Sequence, residues 1–394
     1  MRYFARAANL AVVSSLVACA SAGEAGGGGA DAAPELDAAA IDAAPSGPDA
    51  ATVAMCPAGQ LATSVNAGGE LTCTTVEDAA AAAIRARCAV YLGWRDSCTG
   101  CTTPPSKWSA SGSLTCTPGV GAGNTCLAAT LDVPTQPVQL ATLDLDGDVN
   151  DDDKLYTTLH CQTSAPTTTP APCPAGSAIT GRSGNGWTCA PIADAVVTYV
   201  RTHCSIYLGW QDSCDACTLP PTRWGYASDT TCVNGAGATN TCLSTTLGGE
   251  TVNLFGLNTG GDVDGNDKFH LGLACAPPTT QPGSAPNECP AGQFVAGTNV
   301  DGSLDCTDPS AAVASYIDSK CALFFGWRDS CNACTMGPSK WGRARTGDCI
   351  NGAGVDNSCS VMTLGGTAVQ LFGLNTDGDV NGDDTFYVAL RCDP

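Results

Sequence analysis

Gly326 to Gly342 reads GWRDSCNACTMGPSKWG. The same block stands at Gly93 to Ser109 as GWRDSCTGCTTPPSKWS, and at Gly209 to Gly225 as GWQDSCDACTLPPTRWG. The cysteines around it extend the likeness to whole repeats. The first repeat holds Cys56, Cys73, Cys88, Cys98, Cys101, Cys116, Cys126 and Cys161. The second holds Cys173, Cys189, Cys204, Cys214, Cys217, Cys232, Cys242 and Cys275, and the third Cys289, Cys306, Cys321, Cys331, Cys334, Cys349, Cys359 and Cys392. From the second to the seventh cysteine the gaps are 14, 9, 2, 14 and 9 residues in all three copies. Identical spacing across copies means that each repeat closes its own cross-links.

The chain has 394 residues, with 46 Gly, 24 Pro and only 14% charged residues, a turn-rich composition that favours strands and loops. Its net charge is −21 and its 17 Lys and Arg are thinly spread. No basic stripe is present, which argues against nucleic acid as a partner. The 25 cysteines imply an oxidising compartment and a disulfide framework.

The N-terminus explains the odd cysteine. Arg2 and Arg6 precede an apolar run from Leu10 to Ala18, and the run ends Leu16-Val17-Ala18-Cys19. This resembles the signal peptide and lipobox of bacterial lipoproteins. The resemblance covers the leader alone. It implies cleavage before Cys19, lipidation (palmitate included) of Cys19, and an anchor in the cell envelope, at the outer membrane or cell surface. Residues 19–54 are mostly Ala, Gly, Pro and Asp and bury too little to fold, so they read as a disordered tether.

The organisation expected is therefore a signal peptide at 1–18, the tether at 19–54, Cys-rich repeats at 55–161, 173–275 and 289–394, and Pro/Thr-rich linkers at 162–172 and 276–288. Within a repeat, a stapled hairpin precedes a helix. Val313, Ile317 and Cys321 lie on one helical face, as do Val196, Val200 and Cys204, and Ala80, Ile84 and Cys88. The last third reads as β, with Gly248-Gly249 and Gly365-Gly366 as hairpin turns. In the final strand Phe386, Val388, Leu390 and Cys392 alternate with Tyr387, Ala389 and Arg391. The expected fold class is α+β: three tandem small disulfide-rich modules, each one helix on a small antiparallel sheet.

Oxygen-bearing residues crowd the loop before the final strand. Repeat one has Asp144, Asp146, Asp148, Asn150 and Asp152, repeat two has Asn258, Asp262, Asp264 and Asn266, and repeat three has Asn375, Asp377, Asp379, Asn381 and Asp383. Oxygens at alternate positions around glycines suit Ca²⁺, which takes six to eight such ligands. Asp377, Asp379, Asn381 and Gly382 resemble the opening of an EF-hand or dockerin loop. The twelfth position is Val388 instead of an acid, and the flanks are strands, so the likeness implies Ca²⁺ on a different frame.

Zinc at the middle cysteines is disfavoured by their spacing and by export. The three histidines, His160, His203 and His270, occupy different repeat positions, so no catalytic constellation is shared by the repeats and none is expected. Each repeat also places a basic residue before its second Trp: Lys107-Trp108, Arg223-Trp224 and Lys340-Trp341. These are candidate glycan contacts by stacking and charge, unless the rings serve as core. The function expected is a non-enzymatic, calcium-assisted binding or adhesion protein of the cell surface, held to the membrane by its lipid and meeting a surface glycan or protein. The alternative is a structural stalk or coat component.

Overall fold

The computed structural model describes residues 54–394 apart from 67, 99–101, 132–137, 146, 151, 164–168, 171–172, 184–185, 214–219, 265, 277–282, 286, 300, 331–335, 377, 383 and 394. The signal peptide, Cys19 and almost all of the tether lie outside the described residues. Contacts divide the chain into Met1–Ala50 and Ala51–Pro394, and everything below concerns the second unit. No described helix is long and apolar enough to cross a membrane.

Repeat one runs β1 (Gln60–Val65), β2 (Leu71–Thr75), α1 (Val76–Arg87), β3 (Cys88–Arg95), β4 (Lys107–Gly112), β5 (Cys116–Val120), β6 (Cys126–Ala129), β7 (Val138–Asp144) and β8 (Lys154–Cys161). After the short β9 (Thr169–Pro170), repeat two gives β10 (Ser177–Ser183), β11 (Gly186–Pro191), α2 (Ile192–His203), β12 (Cys204–Gln211), β13 (Arg223–Ala227), β14 (Cys232–Ala236), β15 (Thr241–Leu247), β16 (Glu250–Leu257) and β17 (Lys268–Cys275). Repeat three follows β18 (Gly283–Ala285) with β19 (Phe294–Thr298), β20 (Leu304–Thr307), α3 (Ser310–Lys320), β21 (Cys321–Arg328), β22 (Lys340–Arg345), β23 (Asp348–Ala353), β24 (Ser358–Leu364), β25 (Thr367–Asn375) and β26 (Thr385–Cys392). Both stretches expected as linkers contribute a strand, since β9 pairs with β11 and β18 with β20.

The expected α+β class is overturned. The structure is mostly β, with 54% of the described residues in strands and 12% in helices. The three tandem modules, each with its own sheet, are overturned with it. Three six-stranded antiparallel sheets are present, and each is built from two repeats. In the order β15-β16-β8-β3-β4-β5, repeat two lends its hairpin to repeat one. In β14-β13-β12-β17-β25-β24 repeat three lends to repeat two, and in β23-β22-β21-β26-β7-β6 repeat one lends to repeat three. The exchange is cyclic, so the fold is an intramolecular pseudo-threefold ring. The physical reason is the final strand of each repeat. Every residue of β8 and of β26 is buried, which one small sheet covered on a single face cannot provide. The neighbour's hairpin covers the open edge and supplies the second layer.

The helices pack on one another as well as on the sheets. Ile84, Val200 and Ile317 meet Leu159, Leu273 and Leu390 around a small apolar void within the core. The N-terminal hairpins close a second ring. Cys56 N–H donates to Ala296 O (2.7 Å), Cys289 N–H to Thr180 O (2.8 Å) and Cys173 N–H to Thr63 O (3.3 Å).

Nine disulfides join described cysteines, all within repeats. Cys56–Cys73, Cys173–Cys189 and Cys289–Cys306 staple the first hairpins, as the sequence suggests. Cys116–Cys126, Cys232–Cys242 and Cys349–Cys359 do more. Each joins two strands that lie in different sheets (β5 to β6, β14 to β15, β23 to β24), so the three sheets form a covalent ring. A disulfide of this kind stabilises by about 2–4 kcal/mol.

Candidate functional site

The three acidic loops leave the ends of β8, β17 and β26 that lie away from Cys161, Cys275 and Cys392. They share a tripeptide, Gly147-Asp148-Val149, Gly261-Asp262-Val263 and Gly378-Asp379-Val380. The three valines are buried and their backbones form a closed ring. Val149 N–H donates to Val380 O (2.7 Å), Val380 N–H to Val263 O (3.0 Å) and Val263 N–H to Val149 O (2.9 Å). The loops therefore converge on the pseudo-threefold axis. Around the ring, Asp148, Asn150, Asp262, Asp264, Asp379, Asn381 and Gly382 line one open basin of about 490 Å³. Asp148, Asp262 and Asp379 are exposed, while Asn150, Asp264 and Asn381 are half-buried.

A buried carboxylate braces each loop. Asp153 accepts the backbone N–H groups of Ser97 (2.9 Å) and Asn150 (3.0 Å). Asp267 does the same for Ser213 and Asp264, and Asp384 for Ser330 and Asn381. Burial pushes the Asp153 and Asp267 carboxyls up to about 6. Ser97, Ser213 and Ser330 all hold left-handed backbone (φ 55°, 52° and 53°), an uncommon state for serine that these bonds stabilise. Within the repeated Asp-Ser pair of the GW block the hydroxyl donates to the preceding carboxylate, Ser97 to Asp96 (2.8 Å), Ser213 to Asp212 (2.6 Å) and Ser330 to Asp329 (2.7 Å). Asp96, Asp152 and Asp153 also bring one carboxylate oxygen each within 4.8 Å of one another.

The roots of the loops are held differently. Asp144, Asn258 and Asn375 are buried and engaged by the basic residues of the Lys/Arg-Trp steps. Lys107 Nζ lies 3.5 Å from Asp144, Arg223 donates to Asn258 Oδ1 (3.1 Å), and Lys340 donates to Asn375 Oδ1 (2.8 Å). These three positions thus serve side-chain cations and stand apart from the residues that line the basin. Asn266 is exposed and Asp152 half-buried, and neither lines the basin. Asp146, Asp377 and Asp383 lie outside the described residues.

The Lys/Arg-Trp steps act as clasps. Trp108 is 5% exposed and stacks on Tyr91. Trp341 stacks on Phe324, and Trp224 packs in the cluster of Tyr207, Leu364 and Leu371. Gly119, Gly235 and Gly352 of the adjacent strands lie against these three rings so closely that any Cβ there would collide with the indole. Gly248, in the hairpin turn lent by repeat two, seats against Trp108, and Gly365 of repeat three seats against Trp224. The rings grip the neighbour's hairpin, with Trp108 buried and Trp224 and Trp341 half-buried.

The histidines are also placed. His160 bonds the Asp229 carboxylate, His203 stacks on Tyr199 at 4.7 Å, and His270 is fully buried. Asp153, Asp267 and Asp384 belong to the same acidic loops in the sequence, and their role as braces is what the sequence did not disclose. Their signal was positional, because an acid stands immediately before the final strand in all three repeats.

Fold and site together define a disulfide-closed, pseudo-threefold β protein with an acidic apex on its axis. No family model, no curated protein and no solved structure matches the chain.

Proposed function

We propose that the chain is a non-enzymatic, lipid-anchored envelope protein whose acidic apex binds Ca²⁺ and, through it, attaches the cell surface to an external partner. The observation that carries this is the convergence of Asp148, Asp262 and Asp379 on one basin with Asn150, Asp264 and Asn381. Clustered carboxylates and amides with no basic side chain in the lining suit a hard cation that takes many oxygens. A cation there relieves the mutual repulsion of the loops. The ring replaces separate modules on linkers: the three loops meet on one axis, so a partner meets a single composite face. Calorimetry of the chain from residue 51 with Ca²⁺ tests the reading. Saturable binding lost in the triple variant Asp148→Ala, Asp262→Ala, Asp379→Ala supports it; the absence of heat from the unsubstituted chain removes it. For the anchor, Cys19→Ser is expected to release the protein from the membrane fraction and to abolish palmitate labelling.

A further inference from the structure

Four of the 17 Lys and Arg, namely Lys320, Arg343, Arg345 and Arg391, line one cavity of about 180 Å³ on repeat three. The floor follows from strand register. Ala322 of β21 stands between Arg391 of β26 and the outer strand β22, and Phe324 pairs with Arg343. The small Ala322 leaves a hollow between the arginines. Two carboxylates offset part of the charge: Arg391 pairs with Asp393 (2.9 Å), and Asp348 pairs with both Arg345 (2.9 Å) and Arg343 (3.6 Å). Four cations against two acids leave an excess of positive charge in a chain of net −21.

The junction of repeats two and one shows what belongs there. Asp229 of repeat two inserts its buried carboxylate beside β8. It is held by His160, by the backbone N–H of Cys161 (2.9 Å) and by Arg201 Nε (3.0 Å). At the junction of repeats one and three the corresponding residues are Ser113, Arg391, Cys392 and Arg85. Ser113 Oγ accepts the Cys392 N–H (2.6 Å), so it replaces one oxygen of the Asp229 carboxylate. Asp393 takes the Nε and Nη2 of Arg391 (2.9 Å each), and among the described residues no second carboxylate oxygen reaches the remaining Nη1. Arg391 is 9% exposed, and among the described residues its Nη1 and Arg85 Nε are buried without a hydrogen-bond partner. Arg391 corresponds in position to His160 and Arg85 to Arg201, and of the two Arg391 lines the cavity.

We infer that this cavity is an anion site that takes a carboxylate from an external ligand where repeat two supplies its own. A guanidinium fork matches a carboxylate in shape and charge, and a buried donor without a partner favours any acceptor that reaches it. The inference stands apart from the acidic apex, so its test is run in EDTA.

The experiment is calorimetry of the chain from residue 51 with D-glucuronate, with glucose as the neutral control and with sulfate and phosphate as competing oxyanions. The expected result is saturable binding of glucuronate, none of glucose, and at least a tenfold loss of affinity in Arg345→Ala, a lining residue whose own bonds run to Asp348 and to the Ser319 carbonyl. Ser113→Asp supplies the missing carboxylate internally; it is expected to abolish glucuronate binding and to raise Tm. The inference is overturned if glucuronate does not bind. It is equally overturned if sulfate or phosphate saturates the site while glucuronate does not, or if neither substitution changes the affinity. Should Ser113→Asp fold poorly, Arg345→Ala decides alone.

Discussion

Val149 donates its backbone N–H to the carbonyl of Val380 at 2.7 Å, so a loop of the first repeat ends on a loop of the third. The side chains beside that bond, Asp148 and Asp379, are thereby fixed on a shared axis by main-chain geometry alone. The same direction of exchange recurs at every level. Repeat one reaches repeat three through the valine ring, through the hairpin β6–β7 on β26, and through Cys56 on Ala296. Each repeat is therefore completed by the next, and the acidic apex exists only in the closed ring.

That interlock predicts the behaviour of a single repeat. Residues 173–275 expressed alone keep their disulfides but leave β15–β16 without β8, and β17 without β25. Exposed edges and an uncovered apolar layer do not persist in water. The fragment is expected to be unfolded or to assemble into trimers by exchanging hairpins. Sedimentation velocity with circular dichroism distinguishes these from a folded monomer, and a folded monomer would refute the interlock.

Lys107 and Asp144 offer a second test, because the other repeats have already tried the alternative. Both side chains are buried, and Lys107 also donates to Leu145 O (3.3 Å). Lys107→Ala leaves Asp144 without its ammonium partner, and removing one partner of a buried pair costs about 3–5 kcal/mol. Asp144→Asn keeps an acceptor of the kind that Lys340 uses on Asn375 at 2.8 Å. Its expected cost is about 1 kcal/mol, the net worth of one hydrogen bond. Denaturant unfolding of the two variants gives the comparison, and equal losses would contradict the pairing.

How far the sequence disclosed this fold depends on whether an interaction is local. The stripe Val313, Ile317 and Cys321 marks α3, and the Gly248-Gly249 and Gly365-Gly366 turns mark their hairpins, because each depends on neighbours along the chain. The exchange of hairpins left no such mark. Phe255 and Phe372 occupy the same position in two repeats, so a strand edge of one repeat and its counterpart in the next present nearly the same partner. Nothing local states which is used. The alternation in β26 held a clue in its second face, since Tyr387 and Ala389 are as apolar as a core row and both are buried. Of the candidate site, the acidic residues were legible from composition. Their convergence, and the capture of Asp144, Asn258 and Asn375 by Lys107, Arg223 and Lys340, depend on contacts that only the ring creates.

His270 supplies the pH prediction. It is fully buried, both ring nitrogens are without hydrogen-bond partners among the described residues, and burial followed by the nearby Lys268 charge brings its pKa down to about 3. The unfolded chain binds this proton near pH 6.5 and the native chain does not until about 3. The contribution to stability is therefore complete above 6.5 and is lost as pH falls, by up to about 1.4 kcal/mol per unit. The counterparts of His270 are Tyr156 and Tyr387, whose hydroxyls donate to Thr103 O (3.0 Å) and Met336 O (2.8 Å). Gly256 lies close against the Tyr156 ring, as Gly373 lies against His270. His270→Tyr is expected to lose less stability than the unsubstituted chain between pH 7 and 4.5. Asp153 and Asp267, with pKa raised to about 6, change stability in the opposite sense, which falls as pH rises from 4 to 6. They are common to both proteins and cancel in the difference. Denaturant midpoints at pH 7.0 and 4.5 measure it, and parallel losses in the two chains would show that His270 is protonated in the native state.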